Sequence, residues 1–422
     1  MIPFAQYPPF FRIIPEVSLI KVVGGAAFVY AIFYLLTQSN KSKFKPLEAK
    51  EAKFCLLFML FVLISGFANY SPRNANPITT FLLYPVFFFT TYIFLDKPKK
   101  LEKVYFLIII SMLLACYRGF KEYFLYSKIY SNYRPESVLG DPNYFALSLL
   151  LVLPFSYYLF NYYKNKWVKY FGVFSSLIFL IMIFLTSSRG AIIGLSAMFV
   201  AILFNSKKKL KIILLIGICV MLLIPLVPQK ALNRISSMTG LYDIIESSGE
   251  KLSTSSEDIS YGDITSTRRR YLLLMAGIKM TLDHWVTGVG FGYFRRYLPD
   301  YYNEFLGSRQ IAHNMYIQIS AELGIVGFSL FSLMIVFVFK SLLKIERIAK
   351  ENRITKYEYF GKALKISLIG FLVASFFLTA EFEKSFWLAI FLVISLRRVM
   401  KAEYPELFQR SSHRSSVKLT TK

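Results

Sequence analysis

Runs of about twenty apolar residues, recurring along nearly the whole chain, constrain this sequence more than any other feature. Inside a bilayer the backbone must satisfy its own hydrogen bonds, and a helix rising 1.5 Å per residue needs about twenty residues to cross roughly 30 Å of hydrocarbon. Segments near that length lie at 17–37, 54–70, 78–95, 104–117, 143–163, 168–187, 190–205, 210–228, 314–339, 363–380 and 385–400. They predict an all-α integral membrane protein of about 11–12 transmembrane helices, the twelfth depending on residues 1–16, which Pro3, Pro8, Pro9 and Pro15 interrupt. Those first residues lack a basic start, an apolar centre and a small-residue cleavage site, so no removable signal peptide is expected.

Charge supplies the orientation. The chain has 50 Lys and Arg against 25 Asp and Glu, for a net charge of +25. In a soluble protein such an excess would suggest a nucleic-acid partner. Here the basic residues cluster in alternate connections, Lys41 to Lys53, Lys97 to Lys103, Lys164 to Lys169, Lys207 to Lys211 and Lys340 to Lys365. That is the pattern of cytoplasmic flanks, so membrane lipids rather than nucleic acid are the expected surroundings. Cys55, Cys116 and Cys219 lie in or beside apolar runs and suggest neither a disulfide framework nor a metal site.

By parity the opposite, extracytoplasmic side receives 118–142, the short turn Ser187-Ser188-Arg189-Gly190, the long segment 229–312 and the turn Glu381 to Lys384. The chain therefore divides into transmembrane helices at 1–228, a large outer loop at 229–312, further transmembrane helices at 313–400 and a basic cytoplasmic tail at 401–422. In the loop, about 236–266 is rich in Ser, Thr, Gly and acids and reads as a lid or linker. From Arg268 to Trp285, Leu272, Met275, Ala276, Lys279 and Met280 recur at helical spacing, predicting an amphipathic helix that opens on Arg268-Arg269-Arg270.

Basic residues on the outer side run against the orienting rule and need a reason. Arg189 sits in a turn of a few residues between two apolar helices. It either snorkels to the interface or holds an anionic head group, for which guanidinium geometry is suited. A cationic triplet opening a helix opposes the helix dipole, and a bound phosphate would remove that conflict. Arg268, Arg269 and Arg270 are therefore candidate phosphate ligands. Of the three histidines, His413 lies in the basic tail and His284 closes the amphipathic helix, whereas His313 stands at the outer mouth of a span. There an imidazole can take a proton from a hydroxyl nucleophile near neutral pH. No second histidine or cysteine lies near it in sequence, so no metal is expected.

Gly288-Val289-Gly290-Phe291-Gly292 lacks a preceding strand and the dinucleotide-binding spacing, and reads as a turn bringing backbone amides close to something, phosphate being one candidate. Asp141 and Pro142 suit the N-cap and first position of a helix. Glu381 and Glu383 bracket the last outer turn, either solvated or in contact with a sugar hydroxyl or metal.

In order, Gly140-Asp141-Pro142-Asn143-Tyr144-Phe145-Ala146, Thr186-Ser187-Ser188-Arg189-Gly190, the Arg270 to Trp285 helix running into Gly288-Val289-Gly290, and His313-Asn314 followed by Glu322-Leu323-Gly324-Ile325-Val326-Gly327 resemble the O-antigen ligase and polymerase family of bacterial envelope enzymes. The likeness covers roughly residues 140–330. It implies a GT-C-like polytopic bundle in the bacterial inner membrane, with an active site facing the periplasm and no cofactor. It also implies an undecaprenyl-diphosphate-linked glycan as donor, and lipid A-core or a second glycan as acceptor. The family's arginine after the serine pair maps onto Arg189, its helix arginine best onto Arg270 with Arg268 and Arg269 as neighbours, and its loop-end histidine onto His313. His284-Trp285 stands where the family often has His-Pro.

Breaking a sugar–diphosphate bond requires stabilising charge on the leaving group, which fixed arginines can provide. The acceptor hydroxyl needs a base, the role assigned to His313, with Asn314, Asp141, Asn143, Glu381 and Glu383 as candidate acceptor or sugar contacts. Ligation to lipid A-core and polymerisation of repeat units both fit. A flippase for the lipid-linked glycan is the alternative from another class, disfavoured because the apolar runs contain almost no mid-span acids and no repeat is evident.

Overall fold

The computed structural model describes residues 12–14, 17–37, 46–70, 75–130, 133–206, 210, 261–305 and 310–409. Apart from a two-stranded antiparallel hairpin, β1 (Arg12–Ile14) and β2 (Val17–Ser18), and short 3-10 turns, its regular structure is helical. The helices are α1 (Leu19–Thr37), α2 (Lys50–Ala68), α3 (Ala75–Phe81), α4 (Leu83–Phe94), α5 (Pro98–Tyr126), α6 (Pro142–Tyr162), α7 (Lys166–Leu185), α8 (Arg189–Asn205), α9 (Tyr261–Asp283), α10 (Phe294–Tyr301), α11 (Met315–Glu351), α12 (Thr355–Ala374) and α13 (Lys384–Glu403).

Ten of the apolar runs coincide with helices or, at 78–95, with the pair α3 and α4. The run 210–228 beyond its first residue, the lid or linker of about 236–266 as far as residue 260, and the tail beyond Gln409 lie outside the described residues. By length and apolar composition, six described segments can cross a membrane: Lys50–Ala68, Pro77–Phe94, Pro98–Tyr126, Pro142–Tyr162, Lys166–Leu185 and Met315–Glu351. The protein is thus a multi-pass, helical membrane protein. Helix α12 falls short of that composition through Glu358, Lys362 and Lys365, and α13 through Arg397, Arg398 and Lys401. Both are largely enclosed by other helices, so their sequences need not match lipid along their whole length.

Helix α6 is at the centre, with 78% of its apolar window buried, and packs against α7 and α12. Helix α12 also packs against α8, and α11 against α2. Close approach of α8 and α12 depends on small residues, because a Cβ on Gly194 would stand 2.6 Å from the carbonyl oxygen of Gly370. Where lipid removes the hydrophobic drive between helices, such backbone proximity and dispersion contacts hold the bundle. At another part of the core, Trp387 is fully buried among Phe58, Phe81, Tyr84 and Phe391.

Opposite charges are matched where the basic flanks meet. Glu51 binds Arg397 and accepts a hydrogen bond from Ser341 at 3.0 Å, Lys401 pairs with Glu48, Lys356 lies 2.6 Å from Glu102, and Lys365 lies 2.7 Å from Glu346. These pairs connect α2, α5, α11, α12 and α13 around the connections expected to be cytoplasmic.

Candidate functional site

The turn joining α7 to α8 forms one wall of the site. Thr186 ends α7 with its hydroxyl donating to the Ile183 carbonyl at 2.6 Å, Ser187 takes a left-handed backbone (φ 50°), and Arg189 is the first residue of α8. Ser188, Arg189 and Gly190 at the N-terminus of α8 line one pocket, where the helix end adds a local field suited to an anion. A second arginine comes from the loop after α5. Arg134 donates through Nε to the Thr186 carbonyl at 2.6 Å and through Nη2 to Asn143 Oδ1 at 2.8 Å. Its loop is fastened to the end of α5, where Glu122 accepts the Ser137 amide at 2.9 Å and pairs with Arg118 at 2.7 Å.

Arg134, Asn143, Ser187, Ser188, Arg189, Gly190, Arg270, Phe377 and Leu378 line one pocket. It gathers side chains from four stretches of sequence, with three guanidinium groups, the N-terminus of α8 and an apolar edge from the end of α12. Arg189 and Arg270 were expected there, whereas Arg134 was not singled out from the sequence. Together the three can hold a strongly anionic group with two or more phosphoryl oxygens.

The arginine triplet is placed differently from the sequence reading. Helix α9 begins at Tyr261, so Arg268–Arg270 lie two turns inside it and the argument from a helix N-terminus does not apply to them. Helical rotation separates their roles instead. Arg268 is exposed and 3.5 Å from Glu304, Arg269 is exposed, and Arg270 alone of the three lines the pocket.

The glycine turn after α9 also differs from its reading as a phosphate cradle. Its amides are engaged within the protein: Val289 N and Gly290 N donate to the carbonyls of Ala321 and Glu322 at 2.9 and 3.0 Å, and Phe291 N to Ser65 Oγ at 3.2 Å. Gly292 N and Phe294 N reach the Glu322 carboxylate at 2.8 and 3.2 Å. Gln318 completes this anchor, donating to Glu322 at 2.6 Å and accepting from the Ala312 amide at 2.9 Å. A buried carboxylate therefore occupies the position imagined for phosphate.

His313 follows Ala312, with a left-handed backbone (φ 50°) that turns the chain into α11. Asn314 caps that helix, its Oδ1 accepting from Tyr316 N and Ile317 N at 3.0 and 3.1 Å, and the Met315 amide donates to the Ser375 carbonyl at 3.0 Å. The His313 Nδ1 is buried without a hydrogen-bond partner. Burial first, and then the charge of Arg270, pushes its pKa down to about 4, with Asp141 acting in the opposite direction. The imidazole is consequently neutral near pH 7, the form that accepts a proton, and it lies within electrostatic reach of an arginine that lines the pocket.

Asp141 caps α6 as expected, its Oδ1 accepting from Asn143 N and Tyr144 N at 2.6 and 3.2 Å. Asn143 lines the pocket beside Arg134. Glu381 is buried rather than solvated, while Glu383 is half-buried and precedes α13 without capping it through its side chain. His284 is exposed and packs edge-on against Tyr297, away from this chemistry.

Residues 174–332 match the family model described as O-Antigen ligase, a segment covering less than half of the chain. The match bears out the resemblance drawn from the motif order and supports an activity of O-antigen ligase or polymerase type. A search of the curated proteins found no match.

Proposed function

From the O-antigen ligase match as premise, we propose that this protein transfers a glycan from undecaprenyl diphosphate to an acceptor hydroxyl on the periplasmic face of the inner membrane, most specifically to lipid A-core. The observation that carries the reading is the pocket in which Arg134, Arg189 and Arg270 converge, with His313 within reach of Arg270.

In the proposed reaction Arg189, Arg270 and Arg134 hold the diphosphate, assisted by the N-terminus of α8. As the bond from the sugar's anomeric carbon to the phosphate oxygen breaks, the leaving diphosphate keeps the electron pair, and the fixed guanidinium groups stabilise its charge without reorganising. His313 takes the proton from the acceptor hydroxyl as the new carbon–oxygen bond forms. Attack from the face opposite the leaving group inverts the anomeric centre. Phe377 and Leu378, at the pocket's apolar edge, suit the side from which a lipid-linked donor would enter.

Donor binding also prepares the base. With the pocket empty of anion, Arg270 opposes protonation of His313; a diphosphate on Arg270 cancels that charge and raises the proton affinity of the imidazole. The base is then stronger when the donor is in place than when it is not.

Deleting the gene and examining both lipopolysaccharide and the lipid-linked pool tests the assignment. Ligation predicts long chains trapped on the prenyl carrier and lipid A-core without O-antigen. Lipid A-core bearing a single repeat would show a polymerase instead, and substrate stranded on the cytoplasmic face would show a flippase.

A further inference from the structure

The cap of α6 uses Asp141 and Pro142 but gives no part to the side chain of the next residue, Asn143. Asp141 Oδ1 accepts the amides of Asn143 and Tyr144 at 2.6 and 3.2 Å, so these backbone donors are already engaged. What α6 offers to the arginine pocket is therefore the side-chain amide of Asn143, which lines it together with Arg134, Ser188, Arg189 and Arg270. The residue is fixed from both sides along the chain. Pro142 precedes it in the first turn of the helix, and the hydroxyl of Tyr144 after it donates at 2.9 Å to the carbonyl of Thr379, the neighbour of Leu378 at the pocket's apolar edge.

Arg134 decides which end of that amide remains for a ligand. Its Nη2 donates to Asn143 Oδ1 at 2.8 Å and its Nε to the Thr186 carbonyl at 2.6 Å. A guanidinium has only donors, so the oxygen of Asn143 must face Arg134, and Nδ2 takes the other end of the planar group. Among the described residues no acceptor takes an Nδ2 hydrogen, and Asn143 is half-buried rather than enclosed. Arg134 is itself held through its loop, where Ser137 Oγ donates to the Ala115 carbonyl at 2.6 Å and the Ser137 amide to Glu122 at 2.9 Å. The carbonyl and amide oxygens that receive Arg134 in these two bonds are neutral, so they orient the guanidinium without forming an ion pair with it.

We propose that Asn143 is a binding residue for the donor's diphosphate, its Nδ2 donating to a phosphoryl oxygen in an orientation that Arg134 enforces. The inference rests on the reading of the pocket as a diphosphate site. Arg134 then serves the anion twice, with its own charge and by aiming a neutral donor at it. An amide is the group this position requires. A carboxylate there would draw the same guanidinium into an ion pair and turn a negative charge toward the phosphate.

The test measures binding of undecaprenyl diphosphate to the purified full-length protein in detergent micelles by titration calorimetry, together with the melting temperature of each variant. Asn143→Ala is expected to weaken binding about tenfold, the scale of one hydrogen bond to a charged group. Asn143→Asp is expected to weaken it about 100-fold or more while the melting temperature holds or rises, because a carboxylate in the first turn of α6 suits the helix dipole and pairs with Arg134. A merely structural role for Asn143 does not separate affinity from stability in this way. In an Arg134→Ala background, Asn143→Ala should lower affinity by less than about threefold more, since the amide is no longer oriented. Unchanged binding by Asn143→Ala, losses that multiply in the double variant, or a joint fall of affinity and stability in Asn143→Asp would each overturn the proposal. A loss seen only with the glycan-bearing donor, and not with undecaprenyl diphosphate, would overturn it in favour of a sugar contact. If the unaltered protein does not bind undecaprenyl diphosphate, or Arg189→Ala and Arg270→Ala bind it equally well, the diphosphate reading of the pocket fails and this inference with it.

Discussion

At the scale of residues, the account turns on one guanidinium–imidazole neighbourhood. His313 must be neutral to act, so activity is full above its pKa and is lost as pH falls through it. For the free protein that acid limb belongs near 4, set by burial and by Arg270. Bound diphosphate offsets the arginine, so the single-turnover rate at saturating donor should fall at a higher pH than kcat/KM, which reports the free form. Coincident limbs would mean that Arg270 does not hold the diphosphate. Residue chemistry was unevenly legible in the sequence. Arg189 stood out because it is the one charge in a short outer turn between apolar helices. Arg134 did not, because Arg118, Lys121 and Lys128 precede it in the same stretch and nothing local distinguishes a pocket arginine from a paired one such as Arg118. The burial of Glu381 was likewise hidden, since it depends on α4, α6 and the glycine turn closing around its loop.

At the scale of elements, the helix that follows His313 is broken about three turns in. Gly324 departs from helical geometry (φ 61°, ψ −164°), and there Ile325 N and Val326 N donate to the carbonyls of Trp285 and Val286 at 2.8 and 3.3 Å. The segment after α9 thus fills the gap that the break opens, in the way discontinuous membrane helices are re-satisfied by neighbouring backbone. Gly288 and Gly324 permit this crossing, each with positive φ. A Cβ on Gly324 would lie 2.3 Å from the Val286 carbonyl oxygen, and one on Gly288 would lie 2.3 Å from the Glu322 carbonyl carbon. Gly324→Ala should therefore cost more than about 2 kcal/mol. The expected result is a clearly lowered melting temperature for the purified protein in detergent; an unchanged melting temperature would contradict this crossing. The sequence made the helical runs visible but not their true ends. Helix α11 extends to Glu351, well beyond the apolar stretch, and α9 starts among Ser, Thr and Gly residues that carry little helical signal. The glycine turn was read as bringing its amides close to something, with phosphate one candidate, because its acceptor, Glu322, lies 30 residues further on from Gly292.

At the scale of the whole molecule, the bundle sorts its charges. Acids and bases are paired around the α2, α5, α11, α12 and α13 flanks, whereas Arg134, Arg189 and Arg270 gather in a pocket formed by segments that the charge rule puts on the other side. The membrane class and most of the helical runs could be read from apolar length, because it is a linear property of the chain. The convergence of residues 134, 189 and 270 could not, since it depends on how helices far apart in sequence pack. The most direct test of the central claim measures transfer from an undecaprenyl-diphosphate-linked glycan to lipid A-core by purified Arg134→Ala, Arg189→Ala, Arg270→Ala and His313→Ala proteins, each at normal membrane level. The account predicts that His313→Ala, Arg189→Ala and Arg270→Ala abolish transfer and that Arg134→Ala lowers it by about 100-fold, the scale of one lost charge-stabilising donor. Full activity in His313→Ala, or in both Arg189→Ala and Arg270→Ala, would contradict it.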